Sequence, residues 1–63
     1  MVTRTIYVPA NVFGREVLNL IWERVSCSMG EIRKLDNVLR APITLPEREV
    51  EKLEKILLKF DLM

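Results

Sequence analysis

The stretch Thr3-Arg4-Thr5-Ile6-Tyr7-Val8, closed by Pro9, decides how the rest of the chain is read. It is β-branched and aromatic and its two faces alternate, the pattern of a half-buried strand. Thr3, Thr5 and Tyr7 fall on one face; Arg4, Ile6 and Val8 fall on the other. Everything beyond Pro9 reads as helix, so no second strand is expected in the chain. A lone strand leaves its backbone donors and acceptors unmatched and invites pairing with another chain. The expected solution is the same strand from a second copy, antiparallel across a two-fold axis. The expectation is therefore an obligate homodimer built on an intermolecular β-ribbon.

Working outward, Pro9 ends the strand and pre-sets a helix start. A first helix is expected over residues 10–25, with Asn11 as a possible cap. Its apolar positions include Val12, Phe13, Val17, Leu18, Ile21, Trp22 and Val25, a stripe wider than a surface helix needs. Burial on two sides implies a second subunit. Ile6, Val8, Phe13, Val17, Ile21 and Trp22 are accordingly the expected dimer interface. Ser28 followed by Glu31 has the spacing of a capping box, so a second helix is expected over 29–41. Ile32, Leu35, Val38 and Leu39 would form its apolar side, and Pro42 would stop it. Thr44 with Glu47, and Pro46 between them, marks a third helix over 45–60. Its seam is Val50, Leu53, Leu57 and Phe60, widened by Ile56. Glutamates in its first turns and Lys55 and Lys59 near its end suit the helix dipole.

The totals bound the class. With 63 residues the chain is one domain, 1–63, too small to be more than marginally stable without a staple or partner. Cys27 is the only cysteine and there is no histidine, which removes an internal disulfide and a Cys/His zinc site. No metal or cofactor is expected. No apolar run nears the roughly 18 residues of a membrane span, and no signal-peptide core is present at the N-terminus. A cytoplasmic location and no membrane partner are expected by default. Net charge is +1, with residues 1–40 at +2 and residues 41–63 at −1. The first two-thirds is thus the more basic part. An enzyme is not expected: Cys27 has no evident base partner, and no glycine-rich loop is available to cradle phosphate.

Strand, helix, serine-rich turn and helix within residues 3–41 resemble the ribbon-helix-helix (MetJ/Arc/CopG-type) DNA-binding family. The resemblance rests on the alternating strand, the 18 residues from Val8 to Ser26, and the turn Ser26-Cys27-Ser28 leading into Glu31-Ile32-Arg33. Residues 43–63 lie outside the minimal motif and resemble the extra helix of elaborated versions carried by archaeal viruses. The expected fold class is mainly α with one N-terminal strand (β-α-α-α), a ribbon-helix-helix core with a third helix. The resemblance implies a sequence-specific DNA-binding protein, a transcriptional regulator acting as repressor or activator. It would work on double-stranded DNA in the cytoplasm, the host's if the chain is viral. The ribbon would enter the major groove with Thr3, Thr5 and Tyr7 against base edges. The N-terminus of helix two would grip phosphate through Cys27, Ser28 and Met29. Arg4 and Lys34 are further phosphate candidates, and Arg33 and Arg15 lesser ones. The alternative is an antitoxin-like or adaptor module that meets a protein partner through residues 43–63.

Overall fold

The computed structural model describes residues 1–62. The order of elements is β1 (Val2–Pro9), α1 (Val12–Arg24), β2 (Ser28–Met29), β3 (Arg33–Leu35), β4 (Val38–Leu45) and α2 (Glu47–Lys59). The β-α-α-α expectation is overturned: there are two helices and a four-stranded antiparallel sheet. Residues 29–41 form strands and a turn, not a helix. The strand expected to be solitary has a partner in its own chain. β1 pairs antiparallel with β4 along its whole length, from Val2 opposite Leu45 to Pro9 opposite Val38. An intermolecular ribbon is therefore not what satisfies this side of β1.

β4 is central. β1 lies on one side, and β2 and β3 share the other. Both flanking sides run antiparallel to β4, so β1 and the β2–β3 segment are parallel, joined by the crossover helix α1. The alternation that builds β4 is Leu39, Ala41, Ile43, Leu45 inward and Arg40, Pro42, Thr44 outward. β3 turns into β4 through Asp36 and Asn37, with Leu35 opposite Val38. Asp36 takes the left-handed conformation (φ 55°) that its short polar side chain tolerates. The carbonyl of Asn37 accepts a 2.8 Å bond from Ala10 N–H, tying the hairpin tip to the start of α1.

Pro42 stands mid-strand in the central strand, where a missing N–H would normally break a ladder. Its carbonyl accepts from Gly30 N–H at 2.9 Å, so its missing donor faces the β2–β3 side. On that side the partner strand is interrupted: β2 pairs only with Thr44 and Ile43, and β3 only with residues 38–40. Residues 30–32 bulge across the gap. A Cβ on Gly30 would sit 2.9 Å from the Pro42 ring, which is why the bulge comes so close at a glycine. Proline and interruption are two halves of one arrangement.

Both helices cover the same face of the sheet. Ile6, Val8, Ala41, Ile43 and Leu45 meet Val17, Leu18, Ile21 and Val25 from the α1 side and Leu53 and Leu57 from α2. Each such large side chain, fully buried, stabilises by about 1.5–3 kcal/mol relative to exposure. The expected first and last helices are present, each shortened by two residues at its start and one at its end. Asn11 caps α1, its Oδ1 accepting from Gly14 N–H at 2.9 Å. Gly14 is also where the helix abuts β1: an added Cβ would fall 1.7 Å from the Pro9 carbonyl oxygen. Thr44 does not cap α2. It belongs to β4, and the cap position is Pro46, with no side-chain bond. Phe13 and Phe60 meet edge to face at 5.6 Å between centroids, joining the start of α1 to the end of α2.

Four of the six residues expected at a dimer interface are thus core of the single chain. Val8, Val17 and Ile21 are at most 1% exposed, with Ile6 nearly as covered. Trp22 and Phe13 are instead exposed. The radius of gyration is 10.7 Å, matching the roughly 10.6 Å of a compact chain this long. One copy suffices to bury these residues.

Candidate nucleic-acid interface

With both helices on one side, the other side of the sheet is uncovered, and the register specifies its rows. Residues directly opposite across an antiparallel pair share a face, their Cβ atoms about 4.5–5.5 Å apart. Thr3, Thr44 and Ser28 form a row of three hydroxyls across β1, β4 and β2. Thr3 Oγ1 and Thr44 Oγ1 are 3.1 Å apart, which places both on this face. The next row is Thr5 and Pro42. The third is Tyr7, Arg40 and Arg33, across β1, β4 and β3. Pro9, Val38 and Leu35 close the face at the hairpin end.

The third row carries the chemistry. Tyr7 is 55% exposed, enough to offer a ring face. Arg40 has no ion-pair partner among the described residues. Arg33 meets Glu31 at 3.5 Å, but both side chains are mostly in solvent, where such a pair is weak and yields to a competing anion. Two guanidinium groups beside an aromatic ring and above hydroxyls form a surface able to hold phosphate and stack a base.

The expected base-contact residues Thr3, Thr5 and Tyr7 do share this exposed face. The expected phosphate contacts are not gathered with them. Arg4 is on the helix side of β1, in a cleft of about 210 Å³ against α2 with Glu54. Lys34 is on the helix side of β3, at a groove of about 640 Å³ beside Trp22 and Arg15 of α1. Cys27, Ser28 and Met29 begin no helix. Ser28 and Met29 are β2 and Cys27 precedes it, so the helix-terminus clamp expected there does not exist. Burial, reinforced by the charge of nearby Glu49, pushes the Cys27 thiol up. Arg40 has no expected role from sequence, because a helix over 29–41 puts it on the polar side, whereas it stands in β4 on the exposed face. The turn at Asp36 and Asn37 is the local signal that β4 is a strand with Arg33 beside Arg40, whereas Tyr7 joins them only through the β1–β4 pairing.

The seam of α2 is spent on its own sheet, since Leu53 and Leu57 are buried and Val50, Ile56 and Phe60 pack against the core. Its outward side is charged apart from Leu58. Among the described residues no helix is long and apolar enough to cross a membrane, and no group of three metal-ligating side chains comes together. In comparisons with known proteins, no family model, curated protein or solved structure matches the chain, and nothing identifies a ribbon-helix-helix family.

Proposed function

We propose that this chain is a nucleic-acid-binding protein that lays a single strand across its uncovered sheet face. The observation that carries the reading is the Tyr7, Arg40, Arg33 row. Tyr7 stacks a base, and the two arginines hold flanking phosphates. Stacking on an aromatic side chain contributes about 1–3 kcal/mol per base whatever its identity. The hydroxyls of Thr3, Thr44 and Ser28 continue the track with neutral donors and acceptors.

Width favours a single strand over the duplex groove. A major groove about 12 Å wide admits a helix or a two-stranded ribbon. Three strands spaced about 4.8 Å apart, with side chains standing off them, form a platform too broad to insert. The face therefore suits a splayed backbone with bases turned down onto it, as single-stranded sites are generally read.

Fluorescence anisotropy with labelled single-stranded and duplex oligonucleotides, across salt, tests this. The single strand should bind more tightly. Tyr7→Ala should weaken it by about 1–3 kcal/mol with little change in salt dependence. Arg40→Ala should lower the salt slope by about 0.7, one phosphate's worth on a single strand. Equal binding of duplex and single strand, or indifference to both substitutions in folded variants, would exclude the sheet face as the site.

A further inference from the structure

The sheet has two outer edges, and one of them is left open in a way that selects its own partner. Backbone N–H and C=O groups of a strand residue point to the same side, and the side alternates along the chain. Pro42 points its carbonyl toward Gly30, so Ala41 and Ile43 point theirs toward β1. Their partners Ile6 and Arg4 therefore bond to β4. Thr3, Thr5 and Tyr7 alternate with these. Their three N–H and three C=O groups face away from β4, on a side where no strand lies among the described residues.

We infer that this free edge pairs with the same edge of a second copy, antiparallel about a two-fold axis at Thr5. This is not the isolated two-stranded ribbon expected from sequence, because each β1 keeps its full ladder to β4. The sheets of two copies become continuous. Centring on Thr5 uses residues 2–8 entirely: Thr3 of one copy lies opposite Tyr7 of the other, and Arg4 lies opposite Ile6. No two arginines face each other, as they would if the axis passed through Arg4. The register is self-complementary, which a two-fold interface requires.

The make-up of β1 points to a second copy as the occupant. The edge is eight residues long, has no bulge and no lysine, and its proline stands only at the end. Bulges, edge lysines and mid-strand prolines ordinarily discourage edge pairing, as does an inward-facing charge, and of these β1 carries only the last, Arg4. The one charge on its helix side, Arg4, opens into the cleft that also holds Glu54, Val50 and Leu62. Glu54 of the same chain already lines the cleft of Arg4, and around the two-fold axis the two clefts become neighbours, so their apolar walls gain cover. The partner also contributes to the uncovered face, bringing its Thr3 beside Tyr7. The inference does not depend on nucleic-acid binding.

Position 5 allows a selective test, because its N–H is absent from the β1–β4 ladder. Sedimentation equilibrium without nucleic acid should give twice the 7.4 kDa chain mass for the native protein. Thr5→Pro removes an outward donor and should halve the mass while leaving the far-ultraviolet circular dichroism unchanged. Thr5→Asp places like charges opposite each other at the axis and should do the same without altering the backbone. A native mass of 7.4 kDa up to millimolar concentration overturns the inference. So does a doubled mass that persists in a folded Thr5→Asp variant. Arg40→Ala, on β4 and away from this edge, should keep the doubled mass whatever it does to single-strand binding, so this inference and the nucleic-acid reading fail separately.

Discussion

The two edges of the sheet solve the same problem in opposite ways. On the β2–β3 side the strand is broken into pieces of two and three residues, bulged at Gly30, and marked by Arg33 and Lys34. On the β1 side it runs unbroken for eight residues. The broken edge is poor material for pairing and is set by Pro42, whose missing N–H would have gone unused there in any case. The intact edge keeps three outward donors and three acceptors in line. The broken edge thus answers to the proline in the central strand behind it, and the intact edge to its own unbroken run of residues.

The steepest break of this contrast is expected at Gly14, which lets α1 seat against the end of β1. Gly14→Ala drives a methyl into the Pro9 carbonyl oxygen, a backbone atom that cannot swing aside. The cost should reach or exceed the roughly 1–3 kcal/mol typical of overpacking, read as a fall in the urea midpoint. Gly30→Ala tests the other edge. Its methyl would crowd the Pro42 ring at 2.9 Å, with the Pro42 carbonyl oxygen at an ordinary 3.7 Å, and a ring can pucker away. A loss of about 1 kcal/mol is expected, with exchange protection falling first at Met29 and Ser28.

The smallest effect concerns the loop that feeds the broken edge. Glu49, nearly buried on α2, accepts from Ser26 N–H at 3.1 Å and meets Lys52 Nζ at 3.1 Å. The Lys52 bond first, then the Ser26 bond, holds its carboxyl below the usual range. A carboxyl lowered by folding stabilises fully above its unfolded value, and that contribution disappears as pH falls through the folded one. Stability should therefore decline in acid. Glu49→Gln should flatten the decline when urea midpoints are compared at neutral and acid pH, and an unchanged pH profile would exclude this role.

Much of the chain is readable from local pattern, and the misread secondary structure is confined to residues 28–45. The alternation of residues 3–8, the Asn11 cap and the seam of α2 each need only near neighbours along the chain. Residues 28–45 satisfy two patterns at once. Ser28 and Glu31 have capping-box spacing, and Ile32, Leu35 and Leu39 have helical spacing. Leu39, Ala41, Ile43 and Leu45 alternate like a strand, and Asp36 with Asn37 makes a turn. Pro42 tipped the balance toward a helix stop, because proline in a central strand is rare. The same error hid the site: Thr3, Thr5 and Tyr7 were legible as one exposed face, whereas Arg40 joins them only across strands.

Local chemistry alone thus specified an edge-worthy first strand, two amphipathic helices and a polar, hydroxyl-bearing strand face. Which segment would pair with that strand, and which cations would stand beside Tyr7, was decided only when the chain closed on itself. The physical reason is that a ladder bond is made between residues some thirty to forty positions apart, such as Ile6 and Ala41. Its gain depends on burying Ile43 and Leu45 under both helices together, a term no short window of sequence contains.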